Sequence, residues 1–244
     1  PITPKTRGES PPDILRNLKV YPKLDRLRSH NKFNEIMFIG ISGIIGVGKS
    51  TLTQDLSERL GYATYNEPVK DNPYLEDFYS DMNRWGAMMQ IHLLFRRFEQ
   101  HQQIVWNSEK GAVQDRTIYE DTIFARMLHE AGFIDQRDYD TYQGHFNLMK
   151  RYLVYPNLLI YLRVDPETSL QRIAKRGRNA ESGITLDYMQ KLHDGYESFI
   201  EEMSRYTRVL TLDWNQFLEL DEVVDRITEK AGEKRAFLRD LTKG

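Results

Sequence analysis

The sequence predicts an α/β fold, a five-stranded parallel sheet flanked by helices, and three observations carry that reading. After residue 35, short apolar runs alternate with segments of helical periodicity, the pattern that βα units produce. The first run passes through a glycine-rich turn, Gly43-Ile-Ile-Gly-Val-Gly48, straight into an amphipathic pattern, Thr51-Leu-Thr-Gln-Asp-Leu-Ser-Glu-Arg-Leu60. The length of 244 residues and a hydrophobic content of 40% suit one sizeable core and leave little for a second.

In chain order, the apolar runs at 36–42, 63–66, 111–114, 158–164 and 208–212 read as strands. Helical patterns fill the intervals at about 51–60, 84–108, 120–131, 136–153, 166–176, 185–204 and 221–238. Tyr139, Tyr142, Phe146 and Met149 recur at helical spacing, so that aromatic stripe is expected in the core or at a subunit contact. Residues 1–34 differ from the rest. They hold Pro1, Pro4, Pro11, Pro12 and Pro22, carry more Lys and Arg than acids, and show little apolar periodicity. The expected organisation is therefore an extended proline-rich arm over 1–34 and one folded domain over 35–244.

Composition narrows the function. A net charge of −2 provides no global basic field for nucleic acid or anionic membrane, so anion binding must be local. With no cysteine, disulfides, thiolate metal sites and thiol catalysis are excluded for this chain. No apolar run approaches the roughly 18 residues of a membrane span. Neither a nucleic-acid nor a membrane partner is expected, no secretory signal is read in the arm, and the expected location is the cytoplasm, with an organelle matrix as the alternative.

The glycine turn carries the first chemical signal. Gly43 to Ser50 fits G-x-x-x-x-G-K-[ST] between a buried strand and a helix, the context that pattern requires. Gly43, Gly46 and Gly48 let backbone amides converge on a phosphate, and the helix opening at Ser50 and Thr51 adds about half a positive charge. Lys49 reaches the outer phosphates and Ser50 a Mg²⁺. The bland alternative is a turn that binds nothing, against which both flanks argue. The chain reads as a user of a nucleoside triphosphate, with ATP and Mg²⁺ expected.

Four further groups specify what happens to the phosphate. Glu67 follows the second strand at once, and ligands of open parallel sheets bind beyond the carboxyl ends of the strands. A carboxylate there can take the proton of a hydroxyl attacking a γ-phosphate; taken alone, it is more often a turn or capping acid. Asp115 and Arg116 end the third strand, where the acid can hold Mg²⁺ and the guanidinium can offset charge during transfer; a surface ion pair is the alternative. Gln90 and Arg97 stand seven residues apart on one otherwise apolar helical face, and an amide beside a guanidinium fork suits the edge of a planar heterocycle. Asp121 is placed to hold Arg97, and a polar pair at the margin of an amphipathic helix is the alternative. Arg172, Arg176 and Arg178, with Gly177 as a turn, describe an arginine-rich lid over the donor phosphates, or else a solvated basic face. The six histidines show no metal-ligand spacing.

With those residues in order, the chain resembles the deoxynucleoside kinases of the thymidylate kinase-like P-loop fold. Gly43 to Ser50, Glu67-Pro-Val69, Tyr79 through Arg97, Asp115-Arg-Thr117 and Arg172 through Glu181 fall in that family's order and spacing. The resemblance implies that Glu67 is the base for the sugar 5′-hydroxyl, that Tyr79 and Glu181 hold the 3′-hydroxyl, that Gln90, Arg97 and Asp121 read the base, and that the lid arginines grip the donor. Phe124 belongs to the same acceptor-binding set, and Glu67, Arg116 and Lys49 form the catalytic one. Having both Arg97 and Asp121, the chain resembles the deoxyadenosine, deoxyguanosine and deoxycytidine branch, closest to bacterial-type purine kinases, which makes deoxyadenosine the expected substrate. The family's usual assembly is a homodimer, which the arm can extend to a tetramer.

Rival functions fit less well. A nucleoside monophosphate kinase needs cations around an anionic acceptor, where Glu67 would repel it. A GTPase switch needs N-K-x-D, and Asn31-Lys-Phe-Asn34 lacks the acid and precedes the loop.

Overall fold

A computed structural model describes residues 37–68, 72–108, 110–177 and 183–241. The proline-rich arm and the sequence-predicted site residues Arg178 and Glu181 lie outside them. Five strands form one parallel sheet: β1 (Met37–Ser42), β2 (Ala63–Tyr65), β3 (Gly111–Asp115), β4 (Leu158–Arg163) and β5 (Arg208–Asp213), in the spatial order β2-β3-β1-β4-β5. The continuous apolar runs of β1, β3 and β4 have the physical reason expected of strands covered on both faces: Ile39, Ile41, Val113, Leu159, Ile160 and Leu162 are buried. β1 is central, in register with β3 on one side and β4 on the other. The connection leaving β1 runs to one edge and the one leaving β4 to the opposite edge, which opens a crevice at the carboxyl ends of the strands.

Helices α1 (Lys49–Leu60), α2 (Leu75–Ser80), α3 (Met82–Asn107), α4 (Asp121–Glu130), α5 (Gln136–Lys150), α6 (Pro166–Arg176), α7 (Leu186–Met203) and α8 (Leu220–Leu241) cover the sheet. Their ends follow local chemistry. Asp81 caps α3 by accepting from Arg84 N–H at 3.1 Å, Asp135 caps α5 by accepting from Asp138 N–H at 2.8 Å, and Pro166 opens α6, which closes on Gly177 at φ 68°. Three elements differ most from the sequence reading, one being α8, which runs to Leu241, three residues past the expected end. α2 is too short, at six residues, to establish a helical period. α5 stops at Lys150, three residues before the expected end, where the chain turns toward Pro156 and β4. Tyr142 and Phe146 of the aromatic stripe are core residues. Among the described residues, no helix is long and apolar enough to cross a membrane.

Candidate active site

The crevice holds a cavity of about 330 Å³ between the glycine loop, α2, α3 and the start of α4. One end is the loop that the sequence marks. Gly46 and Gly48 carry φ of 83° and 95°, and a Cβ on Gly46 would stand 2.6 Å from Ile173 Cγ1, so the loop lies against α6 with no room for a side chain. Lys49 donates to the carbonyls of Gly43 and Ile44 at 3.0 and 2.9 Å. Burial, and then Arg116, lowers its pKa to about 8. It remains largely an ammonium at neutral pH. Ser50 Oγ donates to Asp115 Oδ2 at 2.5 Å, joining the start of α1 to the end of β3. Gly46, Gly48, Lys49, Ser50, Thr51 and Arg176 line the cavity; Gly43 and Asp115 are not among its lining residues.

The opposite end is polar and buried. Arg97, 1% exposed, is clasped from two sides: its guanidinium donates to Glu67 Oε1 at 2.5 Å and to Asp121 Oδ1. Glu67 also faces Arg116 at 3.4 Å. Burial alone would raise the Glu67 carboxyl, but Arg116, Arg97 and Lys49 outweigh it and hold the group at about 2. Asp121 has the opposite balance, burial raising it to about 7 despite Arg97 and Arg116. Gln90, 3% exposed, has an Oε1 with no hydrogen-bond partner among the described residues, as does Asp121 Oδ2. Unsatisfied buried acceptors are rare in proteins, and two in one cleft call for donors from a ligand.

Arg116 is the one non-glycine residue with positive φ, 63°, among the described residues. That conformation costs about 1 kcal/mol or more. It keeps Arg116 N–H bonded to Ile41 O at 3.0 Å while the guanidinium lies 4.4 Å from the centre of the Phe124 ring and near Glu67. Burial opposes its charge; Glu67 foremost, then Tyr196, Glu120 and Asp115, keep it protonated.

Glu67, Tyr79, Gln90, Arg97, Arg116, Asp121 and Phe124 therefore converge on one cleft, opposite Lys49 and Ser50. Arg172 departs from the expectation. Its guanidinium donates to the carbonyls of Trp214 and Asn215 at 2.8 and 2.9 Å and lies 4.2 Å from the centre of the Phe217 ring, not among the residues lining the cavity. Those carbonyls leave the end of β5 without strand partners, and the guanidinium satisfies them. Leu75, Phe78, Met89, Leu93 and Tyr188 also line the cleft and had no sequence signal beyond being apolar or aromatic. Phe217, 64% exposed, packs beside Gly48, a proximity created only by folding.

Comparison with known proteins decides the family. The model of the deoxynucleoside kinase family matches residues 39–235, a span that takes in the loop, the cleft and α6. The chain belongs to the deoxynucleoside kinase family. Among curated members, it is 46% identical to deoxyadenosine kinase of Dictyostelium discoideum over 78% of this chain and 77% of that one. It is 45% identical to deoxyadenosine/deoxycytidine kinase of Bacillus subtilis over 66% of this chain and 76% of that one. Among solved kinases of the family, deoxyadenosine kinase from M. mycoides with bound dATP superposes with a TM-score of 0.71 at 33% identity, covering 79% of this chain and 99% of that one. The same kinase with products dCMP and dCDP bound has a TM-score of 0.71 at 34% identity, over 81% and 99% of the two chains. As a deoxynucleoside kinase, the chain is a phosphotransferase with an α/β P-loop fold.

Proposed function

We propose that this kinase transfers the γ-phosphate of ATP to the 5′-hydroxyl of deoxyadenosine. The observation that carries the reading is the position of Glu67, a carboxylate between the glycine loop and the buried Gln90, Arg97 and Asp121 set. Held ionised by Arg97 and Arg116, it accepts the hydroxyl proton as the oxygen closes on the γ-phosphate. Arg116 and Lys49 offset the charge of the transferred group. Gln90 and Asp121 turn unsatisfied acceptors to the amino edge of the base, Phe124 supplies an apolar wall, and Tyr79 lies near the sugar. The names of the relatives favour deoxyadenosine, with deoxyguanosine or deoxycytidine as the alternative.

On the donor side, Phe217 offers an exposed ring beside Gly48 on which the donor's base can lie, with Arg172 fastening that ring's loop to α6. Arg176 meets the donor phosphates, and Arg178 and Glu181 complete the lid in this reading. Ser50 and Asp115 suit Mg²⁺. The carboxylate has a buried Oδ1 with no partner among the described residues, and an ion in such a site is held mainly by phosphates and water. Mg²⁺ supplies charge neutralisation on the phosphates. A cytoplasmic homodimer, extended to a tetramer by the arm, is proposed from the resemblance. Light scattering that gives the same subunit count with and without residues 1–34 sinks the arm's part in it.

Initial rates with ATP and Mg²⁺ on the four deoxynucleosides test the reading. The highest kcat/KM is expected for deoxyadenosine. Activity on dAMP with none on deoxyadenosine overturns it.

A further inference from the structure

A glycine loop binds an anion only if its amide hydrogens face the ligand, so its carbonyl oxygens must be satisfied on the other side. Lys49 Nζ holds the carbonyls of Gly43 and Ile44, and any bound phosphate competes for that same ammonium. The next carbonyl, Ile45, is treated differently. It accepts a hydrogen bond from Ser169 Oγ on α6, a residue 0% exposed. A planar trans peptide points its C=O and N–H in opposite directions. A carbonyl of Ile45 tied to α6 therefore turns the amide of Gly46 away from α6, and Gly46 lines the cleft. The contact is close on both sides, since a Cβ on Gly46 would stand 3.0 Å from Ser169 O and 3.2 Å from its Oγ.

α6 also carries Arg176 in the cleft and Arg172 on the loop that holds Phe217. One buried hydroxyl thus joins the peptide that faces the phosphates to the helix that carries the arginines. We infer that Ser169 is a positioning residue of the donor site: it sets the tilt of the Ile45–Gly46 peptide and registers α6 against the loop. The inference rests on the reading of the glycine loop as the donor site and adds the residue that orients it from outside the motif.

The test separates orientation from packing. Ser169→Ala removes the donor to Ile45 O; Ile173→Val shortens the side chain whose Cγ1 packs on the same glycine and leaves the hydroxyl in place. Dissociation constants for the Mg²⁺ complex of adenylyl-imidodiphosphate are measured by calorimetry, and KM is measured separately for ATP and deoxyadenosine. Ser169→Ala is expected to weaken analogue binding and raise the ATP KM by about tenfold, the worth of one buried hydrogen bond, with the deoxyadenosine KM within twofold. Ile173→Val is expected to leave both KM values within twofold. Ser169→Cys, which keeps the volume with a weaker donor, is expected between Ser169→Ala and the parent, and serves if the alanine variant does not fold. Analogue affinity in the folded variants within twofold of the parent overturns the inference, as does an equal rise in both KM values or an equal effect of Ile173→Val. A parent chain that binds the analogue but phosphorylates no deoxynucleoside refutes the acceptor assignment alone, and the affinity comparison still decides the role of Ser169.

Discussion

The carboxylate of Glu67 lies 2.5 Å from the guanidinium of Arg97, and the other arm of that guanidinium holds Asp121. A single buried cation thus joins Glu67, the proposed base, to Asp121 in the proposed base-reading set. Glu67→Gln keeps the shape while removing the proton acceptor and the negative charge that Arg97 and Arg116 face. Its kcat is expected to fall by about 10² or more, with a smaller change in KM. A kcat near the parent value places the base elsewhere. With the carboxyl at about 2, no acid limb from Glu67 should enter the pH–rate profile above about pH 4.

Arg97→Ala breaks the other half of the relationship. Asp121 is left buried without its cation, which costs about 3–5 kcal/mol of stability, and its charged form is further disfavoured. The proposed base-reading end of the cleft loses its fixed charge pattern, so discrimination among deoxynucleosides should narrow. Urea unfolding and the four kcat/KM values measure the two effects. An unchanged order of preference refutes a base-reading role for Arg97.

The parts of this site that were legible in the sequence are those whose geometry is local or periodic. Gly43 to Ser50 are contiguous, Gln90 and Arg97 share a face through the helical period, and Asp115 and Arg116 end a strand whose neighbours converge on the loop. Contacts between distant segments carried no such signal. Ser169 reaches Ile45 across 124 positions, and Arg172, on the expected helical face, spends its donors on the carbonyls of Trp214 and Asn215. A helical period states which residues share a face, and the partner of that face comes only from the packed chain. The six residues of α2 escaped because one and a half turns establish no period.

Met89 forms part of the cleft wall, and a thioether with three rotatable bonds is ordinarily an adaptable one. Here the amide of Asn72 stands 3.0 Å from its sulfur, while Asn72 Oδ1 accepts from Tyr74 N–H at 2.9 Å. Under the proposed placement of the base, fixing the sulfur fixes the width available to it. Asn72→Ala should lower the preference for deoxyadenosine over deoxyguanosine by roughly three- to tenfold. Met89→Leu, which keeps the volume without the acceptor, should lower it similarly, and the double variant should do no more than either alone. Additive effects would show that Asn72 acts by another route.

Stability against pH turns on His101. This imidazole is 0% exposed, packed edge-on to Phe38 at 5.8 Å, and its Nε2 accepts Val154 N–H at 3.1 Å, which requires the neutral form. Burial lowers its pKa from 6.5 to about 4. The unfolded chain therefore binds more protons between those values, so the stability His101 contributes is complete above pH 6.5 and is lost as pH falls toward 4. The total is about 3 kcal/mol, with about 2 kcal/mol gone by pH 5. Asp121, raised to about 7, changes stability in the opposite direction over the same window, since its folded form binds the extra proton. The measurement is accordingly a comparison of slopes. Urea unfolding at pH 7 and pH 5 is carried out on the parent and on His101→Gln, which retains an acceptor for Val154 and does not titrate. The parent should lose about 2 kcal/mol more than the variant on acidification. Equal losses would show that the His101 site admits the charged ring as readily as the unfolded chain does.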